Sequence, residues 1–273
     1  HHTTLDKQGT KWTTRQLVRL NTRVSPWLPR RIITCSSKGD VVHREIGYPA
    51  DKMVVVHNGY DTAAFRPDAS ARAAIRAEFG IGDDELLLGC VARYNPQKDH
   101  RNLIQGFAGV AQARPDARLL LVGPGLTVDN AEVMALIAEM GLGNRITLVG
   151  PRTDIPAVMN GLDLHVLSSA FGEAFPNVLS EAMSCGTPCV ATDVGDSATI
   201  VGKTGRIVPP RDSQALATAI LELASGLSDP GTQLACRDRI LGNFTLEHMV
   251  EGYTKVWRES MSETAKETRA AAR

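Results

Sequence analysis

The apolar positions of this chain gather into short unbroken runs, separated by stretches in which they recur every three to four residues. The runs are IIT at 32–34, MVVV at 53–56, LLLGCV at 86–91, RLLLV at 118–122, ITLVG at 146–150, LDLHVL at 162–167 and PCVAT at 188–192. Each has strand length, and none alternates cleanly with polar residues. Between them lie helical segments: KGDVVHREI closed by Gly47, ARAAIRAEF with Ser70 as its cap and Gly80 at its end, 100–113, 131–140, a short one from Ile155, and NVLSEAMS from Asn177. Buried strands that alternate with helices imply a parallel sheet covered on both faces, so residues 67–228 predict a doubly wound α/β domain. Ligands of such sheets bind beyond the carboxyl ends of the strands, which singles out the loops after Ala92, Val122, Val149, Ser168 and Thr192.

The two ends read differently. In KWTTRQLVRLNTRV, helical spacing stacks Arg15, Arg19 and Arg23 on one face and puts Leu17, Leu20 and Val24 on another. A basic, solvated face of a packed helix is favoured over contact with an anionic membrane, because an interfacial helix carries a broader apolar stripe. Near the other end, TLEHMVEGYTKVW predicts a helix capped by Thr245 with Glu247 in its first turn. The polar tail after Trp257 is expected to fray.

Composition narrows the class of partner. Lys plus Arg and Asp plus Glu both number 30 among 273 residues, so no global field draws the protein to nucleic acid, and any anion site must be local. Five cysteines, an odd number set within apolar runs, point to buried thiols in a reducing, cytosolic compartment. The C-x3-C pair Cys185 and Cys189 lacks the second pair that tetrahedral zinc needs, so no metal site is expected. No apolar run approaches the roughly 20 residues of a membrane span, and no signal peptide is expected before the first element. The chain opens on HHTTLD without Met and is expected to be an N-terminally truncated piece of a longer protein.

The loops carry the candidate chemistry. ARYNPQKDH puts Arg93 at the end of a strand and Lys98 five residues on. Either alone reads as half of a surface ion pair; together at the edge of a parallel sheet they make a diphosphate clamp, Arg as a fork and Lys as a point charge. In VGPGL, Gly123 permits close approach of a ligand or simply a tight turn. In GPRTDIP, Arg152 and Thr153 can edge a base while Asp154 caps the next helix. In FGEAFPNVLSEAMSCGTP, Pro176 suits the first helical position, leaving the amides of Asn177 and Val178 free at a positive helix end. Glu173 precedes that end and Glu181 lies more than a turn inside. His165, in mid-strand, reads as a packed core residue. Asp193 to Asp196 read equally as pocket lining or as a turn.

E-x7-E around FPN, the Arg and Lys five apart after a strand, VVVHNGYD and EAMSCGTPCVATDVG together resemble the retaining glycosyltransferases of the GT-B fold, the glycosyl transferases group 1 (family 4), over residues 30–258. The resemblance implies a nucleotide-diphosphate sugar as donor, a saccharide or lipid-linked acceptor, and polysaccharide or glycoconjugate assembly as the setting. It implies that Arg93 and Lys98 hold the diphosphate, Glu181 accepts from the ribose hydroxyls, and Glu173 contacts the donor sugar. The backbone of Phe175, Pro176, Asn177 and Val178 would lie close by, and Gly150 to Thr153 would edge the base. Domains follow: 1–60 a partial acceptor-side domain, 61–244 the Rossmann-like donor domain, 245–273 a crossover helix and tail, with Asn58 and Gly59 at the hinge. His57 stands where the family often has proline and is given no catalytic role, and whether His1 or His2 corresponds to a family histidine near the reacting centre is left open. No cofactor or metal is expected, since cations aimed at the departing diphosphate stabilise its charge. A lipid-linked acceptor would bring the protein to the inner face of the membrane, with Arg15, Arg19 and Arg23 as the contact. The alternatives are a nucleotide-sugar-binding fragment without turnover and a nucleotide-sugar epimerase of the same fold; a glycoside hydrolase, which needs both carboxyls flanking one bond, would have no use for the cations.

Overall fold

A computed structural model describes residues 12–271, with side chains described through residue 263; His1 and His2 lie outside them. The elements run α1 (Trp12–Val24), β1 (Ile32–Thr34), α2 (Ser37–Glu45), β2 (Met53–Val55), α3 (Ala69–Glu78), β3 (Leu87–Val91), α4 (His100–Ala113), β4 (Arg118–Val122), α5 (Ala131–Glu139) and β5 (Ile146–Gly150). They continue with α6 (Ile155–Gly161), β6 (Leu164–Leu167), α7 (Asn177–Ser184), β7 (Cys189–Thr192), α8 (Ser197–Val201), β8 (Arg206–Val208), α9 (Ser213–Ser225), α10 (Pro230–Asn243) and α11 (Leu246–Ala271).

Strands β1 and β2 pair in parallel as a two-stranded sheet. The other six form one parallel sheet in the order β5-β4-β3-β6-β7-β8. The unbroken apolar runs have a direct cause here. In β4, Leu119 and Leu121 pack on one face with Phe107, Ile137 and Ile220, while Leu120 and Val122 pack on the other with Ile75, Met159 and Met183. Every residue of β4 after Arg118 is fully buried, so alternation has no solvent side to report. The chain runs outward through β3, β4 and β5, then returns to start again at β6. The order therefore reverses between β3 and β6, and the loops leaving their carboxyl ends face each other across a topological switch point.

Four local expectations are corrected. Asp68, not Ser70, caps α3: its Oδ1 accepts from the amides of Ser70 and Ala71 and also from the Ser70 hydroxyl, which takes that hydroxyl out of contention. Pro176 stands at the N-cap of α7 rather than its first helical position, with ψ of 102° and its carbonyl accepting from Leu179. The tail does not fray after Trp257; α11 continues to Ala271, and Arg31 from before β1 forms an ion pair with its Glu263. In α1, Arg15, Val18, Arg19 and Thr22 line a groove with Ile46 beyond α2, which turns Leu17 and Leu20 to solvent. Leu17 and Leu20, expected on a packed apolar face, are thus exposed alongside Arg19 and Arg23.

The segment after β2, expected to be a hinge, is tied to the start of α11. Tyr60 N–H donates to Phe244 O, Leu246 N–H donates to Tyr60 O, and a Cβ on Gly59 would fall 2.4 Å from Thr245 O.

Candidate donor site at the switch point

The loop after β3 rises through Arg93 into a short 3-10 turn, Pro96–Lys98, capped by the Asn95 side chain. It is stitched to both neighbours. Tyr94 N–H donates to Pro124 O in the loop after β4, and Ala170 N–H donates to Gln97 O from the loop after β6. Ser168 Oγ donates to Lys98 O at 2.7 Å. Gly123 allows the first contact: at φ +145° it lies so close that a Cβ would sit 2.2 Å from Ala92 O, so any side chain there would part the loops.

Lys98 and Glu173 meet across the switch point. Lys98 Nζ donates to Glu173 Oε1 at 2.6 Å, and Ser169 Oγ donates to the same oxygen at 2.7 Å. Both side chains are largely buried, at 15% and 10% exposed. A lysine ammonium has three donors, so a carboxylate on one leaves two for another anion. Arg93 differs: it is exposed and makes no hydrogen bond or ion pair with any described residue.

Beyond Glu173 the chain passes Phe175, whose ring is buried among His57, Tyr60 and Phe244 at centroid distances of 5.0, 6.4 and 5.4 Å. Only the backbone of Phe175 and Pro176 is left to meet a ligand. The amides of Asn177 and Val178 open α7 without intrahelical acceptors, giving a donor pair at a positive helix end. Val178 itself packs against the core. Glu181, half-buried one turn on, has no hydrogen-bond or ion-pair partner among the described residues, and burial raises its carboxyl above the usual range. A half-buried acceptor of this kind suits a pair of hydroxyls.

Other expected residues are held elsewhere. Arg152 is spent on the surface, hydrogen-bonded to Asp154 and Glu78 and lying over the Phe79 ring at 5.7 Å. Asp154 stands at the N-cap of α6 but makes no side-chain cap bond, its carboxylate being taken by Arg152. Thr153 is exposed on the same loop. Neither pocket lining nor a turn accounts for Asp196. Its buried carboxylate accepts from the amides of Ser37 and Lys38 at 2.6 and 2.9 Å, capping α2, while Asp193 pairs with Lys38. His165 is a core residue: fully buried, its Nε2 accepts from Val91 N–H, and burial with the Lys98 charge pushes its pKa down to about 3. Ser169 and Tyr60 were not singled out from the sequence, and Asn58 was placed at the hinge with no contact to α7 foreseen. Only its proximity to Glu173 gave any sign of Ser169.

The comparisons with known proteins bear on this geometry. The family model of the glycosyl transferases group 1 matches residues 85–226, from β3 through α9. The chain belongs to this family. It is 30% identical over 242 residues to D-inositol 3-phosphate glycosyltransferase of Rhodococcus jostii, covering 84% of this chain and 52% of that one. It is 30% identical over 188 residues to the GDP-mannose-dependent alpha-(1-6)-phosphatidylinositol monomannoside mannosyltransferase of Mycolicibacterium smegmatis, covering 63% and 46%. The chain spans about half the length of these curated relatives. Among solved structures, Anabaena Alr3699/HepE in complex with UDP superposes with a TM-score of 0.82 at 25% identity, over 94% of this chain and 70% of that one. The sucrose-phosphate synthase of Thermosynechococcus elongatus gives 0.78 at 26% identity, over 95% and 65%. The fold is thus of GT-B type. Among the described residues no helix is long and apolar enough to cross a membrane.

Proposed function

We propose that this chain is the donor-binding part of a glycosyltransferase that moves a sugar from a nucleoside diphosphate sugar to an acceptor with retention of configuration, in polysaccharide or glycoconjugate assembly. The observation that carries this reading is the pair of cations at the switch point: Arg93 exposed and unpaired, Lys98 held by Glu173 with two donors to spare. Arg93 and Lys98 clamp the diphosphate, the amides of Asn177 and Val178 add donors, Glu181 takes the ribose hydroxyls and Glu173 a hydroxyl of the sugar. Residues 1–60 belong to the acceptor side, 61–244 to the donor domain, and α11 crosses back between them.

In the reaction the bond from the anomeric carbon to the phosphate oxygen breaks, and its electron pair leaves with the diphosphate. The acceptor hydroxyl forms the new bond on the same face and gives its proton to a departing phosphate oxygen. Charge grows on that oxygen as the bond lengthens, so cations already in place lower the barrier without reorganising. This assigns the charge stabilisation to side chains and requires no metal. A lipid-linked acceptor would draw the protein to the inner membrane face, with α1 as the contact; failure to sediment with anionic vesicles at low salt would sink that part.

Calorimetric titration with UDP, GDP and ADP tests the donor site. One nucleotide should bind, and Arg93→Ala combined with Lys98→Ala should weaken it by a factor of about 100 or more, at about 1.5–3 kcal/mol per charged hydrogen bond. Binding that is indifferent to both cations would refute the clamp. Product formation from donor sugar and acceptor then separates transfer from binding alone, and interconversion of the donor without acceptor would indicate an epimerase.

A further inference from the structure

The hinge residue Tyr60 makes a contact that neither the fold nor the clamp requires. Its hydroxyl donates to Asn177 Oδ1 at 2.8 Å, and the neighbouring hinge residue Asn58 donates to the same oxygen through Nδ2 at 3.1 Å. Asn177 is the first residue of α7, and its own amide is one of the two donors at that helix end. Both lone pairs of its side-chain carbonyl are thus turned to the hinge, which leaves its Nδ2 donors, like its backbone N–H, without a partner among the described residues.

Two further observations place Tyr60 against the working face of α7. Residues 177, 180 and 181 share one helical face, at spacings of three and four. Burial and the charge of Glu181 both raise the Tyr60 hydroxyl above its usual range, which puts that carboxylate near the phenol. The Tyr60 ring is itself fixed: it is 7% exposed and stacks on Phe175 at 6.4 Å and 15°. Its backbone is bonded in both directions to the junction of α10 and α11. A rigid phenol, anchored at the hinge, therefore touches the helix end that opens between Glu173 and Glu181.

We infer that Tyr60, assisted by Asn58, is a positioning residue for the donor: it orients Asn177 so that the first turn of α7 presents its amides to the diphosphate sugar. The inference rests on the donor-site reading above. It also ties donor binding to the hinge, since any rotation about Asn58 and Gly59 moves the two donors that Asn177 Oδ1 accepts from. A ligand that fixes α7 thereby favours one hinge setting over others.

The test is a double-mutant cycle on the 273-residue chain, read by calorimetry with whichever of UDP, GDP or ADP binds. Tyr60→Phe removes one hydroxyl and keeps the ring in its stack. It should weaken nucleotide binding about 3- to 10-fold, the size of a single hydrogen bond. In an Asn177→Ala background the same substitution should have no further effect, because the group it acts through is gone. Asn58→Ala should give a smaller loss that is likewise absent in Asn177→Ala. Melting temperature measured on each variant without nucleotide separates lost stability from lost positioning, because a merely structural tyrosine would weaken binding equally in both backgrounds. Tyr60→Phe that binds as wild type does, or an effect that survives Asn177→Ala in full, overturns the inference. In either case wild-type binding that Arg93→Ala weakens leaves the donor-site reading standing. A wild-type chain that binds none of the three nucleotides overturns both.

Discussion

Glu173→Gln separates the roles given to Lys98. The carboxylate accepts from Lys98 and Ser169 through one oxygen, and an amide of the same shape keeps an acceptor there while removing the charge. Neutralising one partner of a buried ion pair costs about 3–5 kcal/mol because the other charge is stranded. Lys98 keeps 15% exposure, so some hydration remains and the lower end, about 3 kcal/mol, applies. For a chain of this size that lowers the melting temperature by roughly 6–12 °C.

Nucleotide binding should move the other way. A bound diphosphate would share Lys98 with Glu173 and be repelled by it; removing one like charge at short range is worth about 1–2 kcal/mol once the effective dielectric and salt are allowed for. Glu173→Gln should therefore bind the nucleoside diphosphate about 5- to 30-fold more tightly than wild type. Saturating nucleotide should return part of the lost stability, up to about 2.7 kcal/mol at a hundredfold excess over Kd. Scanning fluorimetry with and without nucleotide, alongside calorimetry, reads both halves. A variant that is destabilised but binds equally or more weakly would show that Lys98 does not answer to both anions, and the clamp would have to be rebuilt on Arg93 alone.

Three other substitutions probe separate parts. Arg152→Ala should leave nucleotide affinity within about threefold, since its guanidinium is engaged by Glu78 and Asp154; a tenfold loss in titration would restore it to the base site. Asp196→Ala strands two amides of α2 and should cost about 1–3 kcal/mol in urea unfolding, and an unchanged midpoint would refute the cap. Acid should weaken the fold through His100 and His165, whose pKa values are pushed down to about 4 and about 3, chiefly by burial. Both are lowered, so their contribution is whole above the unfolded value near 6.5 and is lost as pH falls from there toward 3–4; His100→Phe should flatten the slope of stability between pH 6.5 and 4.5, by up to about 2.7 kcal/mol.

The sheet was legible because a strand buried on both faces leaves a signature that tolerates no polar alternation, and β3, β4, β6 and β7 carry it, while β5 at one edge keeps an apolar run with Thr147 exposed. Strand β8 was not, because it is three residues long at the sheet edge and only Val208 is buried. The same contrast divides the site. Arg93 and Lys98 could be read from one loop, and the free amides of Asn177 and Val178 from the proline before them. What could not be read is which side chains answer each other across the fold: Lys98 and Glu173 are 75 residues apart, Tyr60 and Asn177 117, Asp196 and Ser37 159. These partners meet only because the strand order reverses at β3 and β6 and because the segment after β2 returns against α7, facts that local spacing does not encode. The surroundings of the two glutamates also differ. One is tied to a cation and a serine on a stitched loop, while the other stands on a helix with burial as its main influence. Under the proposed function, such unequal company fits a Glu173 that meets the donor sugar beside the Lys98 cation and a Glu181 that reads the ribose hydroxyls. It is poorly arranged for an acid and base acting on a single bond.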